Sequence, residues 1–493
     1  MTQIPLPEIT GALERAGLLV AQRGALPPAV SGIADDSRRV APGELFVAVR
    51  GAARDGHDFL AQAAEMGATV ALVEEEGRTA LPQLVVRDGR RAAAIAAGAA
   101  YGHPAWSLNF VAVTGTNGKT TTVDLLRHLL DLPDARAASI GTLGVLVGSD
   151  ATPLPGGAGL TTPGPLELQA VLRRLVDDGV RLVAMEVSSH SLDQRRVEGI
   201  RFSAGIFTNL TRDHLDYHGT MDAYLAAKSR LIERLTDDGV AVLNADDPAW
   251  ARLGRAPRTV RFSAAGAAAD VRAEAVEFSP TGSTFTLRLG EATQAVTLPL
   301  IGDFNVANAT GAAAAAWALG MPPALIAERL GTVPQVPGRL ERIGERPAVL
   351  RDYAHTPDAL ERALHAVRPF VHGRLIVVFG CGGDRDRGKR PVMGAIAARD
   401  ADLAIVTSDN PRTEDPERIL DDVEAGMGEV PHLRVEDRRA AIARAIAEAD
   451  PERDLVLLAG KGHETYQIRG TTSYPFDERA IVGELLHARE TTA

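Results

Sequence analysis

Between residues 111 and 130 the sequence reads VAVTGTNGKTTTVDLLRHLL, an apolar run that breaks at Gly115, Thr116, Asn117 and Gly118 and resumes after Lys119, Thr120 and Thr121 with apolar residues at helical spacing. A glycine-rich turn between a strand and a helix offers backbone N–H groups and the positive helix end to an anion, so a phosphate is the expected ligand. Lys119 can neutralise a β- or γ-phosphate oxygen, and the Thr120 hydroxyl can hold magnesium. Gly115 and Gly118 stand only three positions apart, closer than in the common G-x-x-x-x-G-K-[ST] pattern. By pattern alone the segment can also be an ordinary turn.

Other residues have the chemistry to join such a site. Glu186 ends the apolar run of AMEVSSH, and His214 lies in TNLTRDHLDYHG. Magnesium prefers oxygen ligands, which favours Thr120 and Glu186, with His214 as a third ligand if its surroundings fix it. His190, His214 and His218 can equally cap loops or pack locally. Lys228, in YLAAKSRLI, is either a solvated helix face or a lysine that reacts with carbon dioxide to give a magnesium-bridging carbamate. Asp409, Asn410, Pro411 and Arg412 follow another apolar run, and Arg385 sits in GCGGDRDRGKRP. Two guanidinium groups near one pocket suit a ligand with a second carboxylate, because arginine makes bidentate carboxylate contacts. Asn-Pro is also ordinary turn chemistry.

These residues need a frame to bring them together. The 493-residue chain is too long for one core and predicts about three domains. Strand-like runs alternate with Ala- and Leu-rich helical stretches, an α/β pattern of parallel sheets covered by helices. GHPAWSLN reads as one connector and GTVPQVPGRLE as another, giving segments 1–106, 107–333 and 334–493. In the middle segment FVAVTG, RLVAMEV, AGIFTNL and GVAVLNA are the expected strands of a doubly wound nucleotide-binding domain. In the last, AVLRDYA, RLIVVFGCGG, ADLAIVTSDNPR and DLVLLAGKGHE each end in a polar or glycine-rich loop, where open α/β sheets bind ligands. Ala-rich GAAAAAWALG is expected to be a close-packed helix.

With 53 Lys and Arg against 64 Asp and Glu, a net charge of −11, a broad nucleic-acid surface is disfavoured. No apolar stretch is long enough to span a bilayer, and the first thirty residues lack the features of a secretory signal. Cys381 is the lone cysteine, which excludes an internal disulfide and suits a reducing compartment. A cytoplasmic monomer is the expectation.

TGTNGKTTT, TTPGPLEL, MEVSSHSLDQRRV, NLTRDHLDYHG, YLAAKSRL, GDFNVANA, PGRLE, DYAHTPD, GCGGDRDRGKRP, DNPRTEDP and GKGHETYQ, preceded by DDSRRVAPGELFVAVRG, run along nearly the whole chain in the order seen in Mur ligases, which this sequence resembles. The resemblance implies an amino-terminal domain for a uridine nucleotide, a central P-loop-type domain for ATP and a carboxy-terminal Rossmann-like domain for an incoming amino acid. It implies an ATP- and Mg2+-dependent, ADP-forming acid–amino-acid ligase that extends the peptidoglycan stem peptide. Lys119, His214 and Lys228 would be catalytic, with Thr120, Glu186, His214 and Lys228 around metal and Lys228 as N6-carboxylysine. Gly115, Thr116, Asn117, Gly118, Lys119, Thr120, Thr121, Asn305, Asn308, Arg339 and Asp352 would frame ATP. UDP-MurNAc-L-Ala-D-Glu would meet Ser37, Thr161, Thr162, Ser188, Gln194 and Arg196, with Ala52, Ala53 and Arg54 forming a turn against its nucleotide. Meso-diaminopimelate would meet Arg385, Asp409, Asn410, Pro411, Arg412, Gly460 and Glu464. The remaining alternatives are the same ligation with L-lysine or L-ornithine, a folylpolyglutamate-type ligase, or a nucleotide-binding module without ligase chemistry.

Overall fold

The computed structural model describes residues 3–51, 54–157 and 159–491. The protein is a mixed α/β chain in two compact units. One unit runs to Arg272 and takes in Arg288–Ala292 and Asn308–Ile326; the other holds Ala273–Leu287, Thr293–Ala307 and the chain from Ala327 onward.

In the first unit the short strands of the first hundred residues form a sheet in the order Leu19–Arg23, Gln83–Val86, Val70–Val73, Leu45–Val47, Ile33–Ala34. Its core joins Leu45, Val47, Val70 and Leu72 to Ile9 and Leu13 of the helix Leu6–Arg15 and to the alanine face of Gly89–Ala100. A second sheet carries, in order, Ala137–Gly141, Leu182–Glu186, Asn109–Thr114, Phe202–Phe207, Leu235–Asn244 and Arg258–Ser263. All of these neighbours pair in parallel. Asn109–Thr114 is followed by Lys119–Leu130, and the strands on either side of it come later in the chain. The order therefore reverses at this strand, and a crevice at a topological switch point is where such sheets bind ligands.

Beyond the parallel doubly wound strands, the segment 107–333 carries further strands. Gly144–Val147 and Thr152–Leu154 add an antiparallel edge, and strands Val271–Ser279, Gly282–Leu289 and Ala292–Leu298 follow one another with no helix between them. Their polar and apolar residues alternate, as in GSTFTLRL, the period of strands with one wet face. The reading of continuous apolar runs passes over such strands. GAAAAAWALG lies almost wholly within the helix Asp303–Ala318, and Ala312 to Ala316 are buried.

In the second unit the sheet order is Glu341–Gly344, Ala348–Asp352, Leu455–Ala459, Leu375–Phe379, Leu403–Val406, Leu433–Arg434, parallel except for the first pair. The carboxyl ends of four parallel neighbours thus place Asp352 and the loops after 379, 406 and 459 on one edge. Near that edge Arg438 and Glu478 form an ion pair at 2.8 Å with neither side chain exposed (0% each), and Arg438 Nη2 donates to the Ala459 carbonyl at 2.9 Å. Glu478→Ala strands the guanidinium in the core and should cost about 3–5 kcal/mol. Joint replacement by Arg438→Met and Glu478→Leu should cost much less, because no buried charge is left unpaired. Denaturant unfolding of both variants, followed at this unit's transition, measures the difference.

Candidate functional site

The turn after Asn109–Thr114 is closed by backbone that only glycine adopts easily. Gly115 has φ 149° and Gly118 φ 85°; a Cβ would collide with the Thr208 hydroxyl at the first and with the Asn308 side-chain oxygen at the second. Asn209 accepts from Asn117 N at 2.9 Å, and the Thr208 hydroxyl donates to Asn117 O at 2.7 Å. Thr116 N donates to Asn209 O at 2.8 Å. Thr208 and Asn209 follow the neighbouring strand, so the sheet itself holds the turn in shape. Lys119 Nζ donates to Gly115 O at 3.0 Å and Thr116 O at 2.8 Å, which keeps a cation over the turn. Thr120 and Thr121 are buried in the first helical turn.

Glu186 ends, and His214 follows, the two strands that flank Asn109–Thr114. Glu186 pairs in register with Val113 and is buried. Its Oε1 accepts Thr142 N at 2.8 Å, and its Oε2 lies 3.3 Å from the Thr142 hydroxyl. His214, in the left-handed region at φ 53°, packs edge-on to His190 at 4.8 Å between ring centres, and His190 also meets Tyr217 and His218. Packing lowers the tendency of His214 to protonate, and the Lys119 and Lys228 charges add to this. Burial, then the His214 and His218 charges, pushes His190 down to about 4. Neutral imidazole is the form that ligates metal. Two oxygen donors and one neutral imidazole suit a magnesium ion that retains waters.

Lys228 is not on a solvated face. On the helix Met221–Ser229 it is 1% exposed; its Nζ donates to Gly115 O at 2.7 Å and lies 4.4 Å from the centre of the Tyr224 ring. Burial, helped by the Lys119 charge, pulls its ammonium well below the usual lysine range. Such a shift favours the neutral amine, the form of lysine that reacts with carbon dioxide.

A second group of residues in this unit gathers around Thr162. Its hydroxyl donates to Glu186 O at 2.8 Å and lies 3.4 Å from the Ser188 hydroxyl. Arg196 donates to Thr162 O at 2.8 Å and through Nη2 to Gln194 Oε1 at 2.6 Å, and Thr161 lies 3.5 Å from the Thr142 hydroxyl. Ser37 is buried elsewhere, donating to Gln62 at 2.7 Å. Ala52 and Ala53 lie outside the described residues; exposed Arg54 accepts Gly51 N at 2.9 Å through its carbonyl.

In the second unit Asp352 accepts Leu340 N at 2.7 Å, and burial raises its carboxyl to about 6. Arg339 stacks on Tyr353, 4.8 Å from the ring centre. Asn305 donates to Ile301 O at 2.8 Å. The amino-acid candidates lie on the loops along the sheet edge. Gly460 N donates to Asp352 O at 3.0 Å. Asn410 Nδ2 donates to Glu464 Oε2 at 2.9 Å, and Asp409 and Asn410 are buried. Pro411 leads into Arg412, whose Nη1 donates to Gly383 O at 2.9 Å. Arg412 Nη1 and Arg385 Cγ lie 3.0 and 3.7 Å from where a Cβ on Gly382 would stand. Both arginines lack a carboxylate partner among the described residues. Buried Arg390 braces the loop through Glu414, at 2.9 Å, which accepts Asp384 N.

Three family models match in succession: "Mur ligase family, catalytic domain" at 29–102, "Mur ligase middle domain" at 113–316 and "Mur ligase, glutamate ligase domain" at 338–462. The chain belongs to the Mur ligase family. This Mur ligase is 47% identical to a Synechococcus elongatus protein named UDP-N-acetylmuramoyl-L-alanyl-D-glutamate--2,6-diaminopimelate ligase, over 94% of this chain and 95% of that one. It is 46% identical to a protein of the same name from Geobacillus thermodenitrificans, over 92% and 94%. A solved structure of that name has a TM-score of 0.67 at 33% identity, covering 99% of this chain and all of its own. Mycobacterium tuberculosis folylpolyglutamate synthase, solved with ADP and AMPPCP, shares the fold over 75% of this chain at 20% identity, with a TM-score of 0.64.

Several residues that build the site in this Mur ligase escaped the sequence reading. Thr142 orients Glu186, Thr208 and Asn209 hold the turn, Tyr224 covers Lys228, and Arg390 and Lys461 are buried cations beneath the carboxy-terminal loops. The only local signal for Thr208 and Asn209 was their position directly after an apolar strand. For Lys461 it was a lysine between two glycines at a strand end.

Proposed function

We propose that this Mur ligase uses ATP to join meso-diaminopimelate to the D-glutamate side-chain carboxylate of UDP-MurNAc-L-Ala-D-Glu, releasing ADP and phosphate, in cytoplasmic peptidoglycan synthesis. The observation that carries the proposal is near-half identity, over almost the full length, to proteins named for this ligation. Segments 1–106, 107–333 and 334–493 act as uridine-nucleotide, ATP and amino-acid domains; the family matches fall within those limits. No helix of the described residues is long and apolar enough to cross a membrane.

A carboxylate is a poor acyl donor, so its oxygen first attacks the γ-phosphorus of ATP and the bond to the β-phosphate oxygen breaks, leaving ADP and an acyl phosphate. The 115–121 turn and Lys119 hold the phosphates, and Thr162, Ser188, Gln194 and Arg196 hold the acceptor peptide. Transfer of this kind is chiefly positioning and charge stabilisation. Thr120, Glu186, His214 and carbamylated Lys228 would hold magnesium, which when bound offsets charge on the phosphoryl oxygens. The free amine then attacks the acyl carbon, and the C–O bond to phosphate breaks.

Arg412 and Arg385 favour diaminopimelate over lysine and ornithine, which have no distal carboxylate for them to pair. If Arg412 binds that carboxylate, Arg412→Ala should cost roughly 2–5 kcal/mol in kcat/KM for meso-diaminopimelate and far less for L-lysine. Amino-acid-dependent ADP release, with diaminopimelate, lysine and ornithine side by side in wild type and variant, tests this. Wild-type preference for lysine or ornithine would overturn the specificity; absence of release with all three would overturn the ligase.

A further inference from the structure

Arg90, in the first turn of the helix Gly89–Ala100, has no carboxylate partner among the described residues. Its Nε and Nη2 both donate to the Arg50 carbonyl, at 3.3 and 3.2 Å, which fixes a partly exposed guanidinium beside Arg50. The neighbouring carboxylates are engaged elsewhere. Glu74 accepts Gly89 N at 2.6 Å, and Asp88 accepts Arg91 N at 3.0 Å. Arg50 itself lies 3.6 Å from Asp55 and 3.7 Å from Glu74.

The same helix packs on the segment that carries Arg196. Arg91 Nε lies 3.3 Å from Glu198 Oε1, and Ile95 Cδ1 stands 3.4 Å from where a Cβ on Gly199 would be. Glu198 is shared further with Arg195, at 4.0 Å, and with Arg234. One buried carboxylate therefore serves three guanidinium groups. Arg196, like Arg90, meets no carboxylate among the described residues and donates instead to Gln194 and the Thr162 carbonyl. Burial holds Arg196 below the usual arginine range, and the charge of Arg90 acts in the same direction. Two guanidinium groups that repel each other with no anion between them favour an anionic ligand.

The acceptor substrate is linear, with uridine at one end, then the diphosphate, then the sugar and the dipeptide. On the ligase reading above, its uridine meets the amino-terminal domain and its dipeptide meets Thr162, Ser188, Gln194 and Arg196. The diphosphate must lie between these ends. Arg90 stands there too, tied to Arg50 on one side and within electrostatic reach of Arg196 on the other. We propose that Arg90 binds the diphosphate of UDP-MurNAc-L-Ala-D-Glu, donating to its phosphate oxygens. The inference rests on that ligase reading. A guanidinium suits the task because its planar fork matches phosphate oxygens in pairs. The Arg50 carbonyl takes the Nε edge and leaves the Nη1 edge for the ligand.

The test uses the full-length enzyme with Arg90→Gln and with Arg90→Lys, which keeps the charge without the fork. In Arg90→Gln, KM for UDP-MurNAc-L-Ala-D-Glu should rise on the order of tenfold to hundredfold, the worth of a hydrogen bond to a charged group; Arg90→Lys should fall between it and wild type. KM for ATP and for meso-diaminopimelate, and kcat, should stay within about twofold. UDP and uridine, used as competitors of the acceptor substrate, separate binding from bracing. Wild type should prefer UDP, and Arg90→Gln should lose most of that preference by weakening UDP alone. Parallel weakening of UDP and uridine would make Arg90 a brace for the Arg50 carbonyl and overturn the proposal, as would an unchanged KM in the folded variants. Wild-type enzyme without diaminopimelate-dependent ADP release would instead refute the ligase reading, a result the variants cannot produce.

Discussion

Lys228→Ala should lose nearly all ADP-forming activity, on the order of 10³-fold or more in kcat, and should regain part of it in a short carboxylate such as acetate. The expectation comes from where the amine lies. It is enclosed by the helix Met221–Ser229, the Tyr224 ring and the Gly115 carbonyl, and burial with the nearby Lys119 charge disfavours its ammonium form. A neutral amine combines with carbon dioxide to give an anionic carbamate, which at Lys228 would supply a pair of oxygen ligands beside the 115–121 turn. Acetate can supply two such oxygens in the space an alanine leaves. Carbon-13 NMR of enzyme equilibrated with labelled bicarbonate should show one carbamate signal that Lys228→Ala removes. The alternative is that Lys228 only braces the turn through Gly115 O; the alanine variant would then be impaired but indifferent to acetate, and no carbamate signal would appear. Full activity without additive would dismiss both roles.

Lys119→Ala is the second large effect. Its ammonium spans the Gly115 and Thr116 carbonyls, over the turn proposed to hold the phosphates. A cation fixed there is worth most when charge is being redistributed on the transferring phosphoryl group. Its loss should lower kcat by about 10³- to 10⁴-fold, or about 4–5 kcal/mol. The helix Lys119–Leu130 should survive, because the side chain is only partly buried and fills no core position. Thermal unfolding should therefore match wild type, and single-turnover phosphate release separates chemistry from nucleotide binding. Near-wild-type release by the folded variant would remove Lys119 from the mechanism.

The sequence by itself determined what depends on neighbours along the chain. The turn and the helix Lys119–Leu130 could be read because glycines at the two tight positions, apolar residues before them and helical periodicity after them are all local. The same holds for the parallel strands, whose runs are apolar throughout because both faces are covered, and for the strand end at Asp352 and the polar loops that carry DNPR and GKGHE. Only the tertiary structure decided which charges are buried and what they meet. Lys228 looks like any helical lysine until the Gly115 carbonyl, 113 residues away, accepts its hydrogen bond. Arg438 finds Glu478 at a separation of 40 residues and Lys461 finds Asn410 at 51. Burying a charge is costly unless a partner is placed at hydrogen-bonding distance, and that partner comes from a distant segment brought close by sheet order. Periodicity reports which face of an element is apolar, but it carries no record of that order.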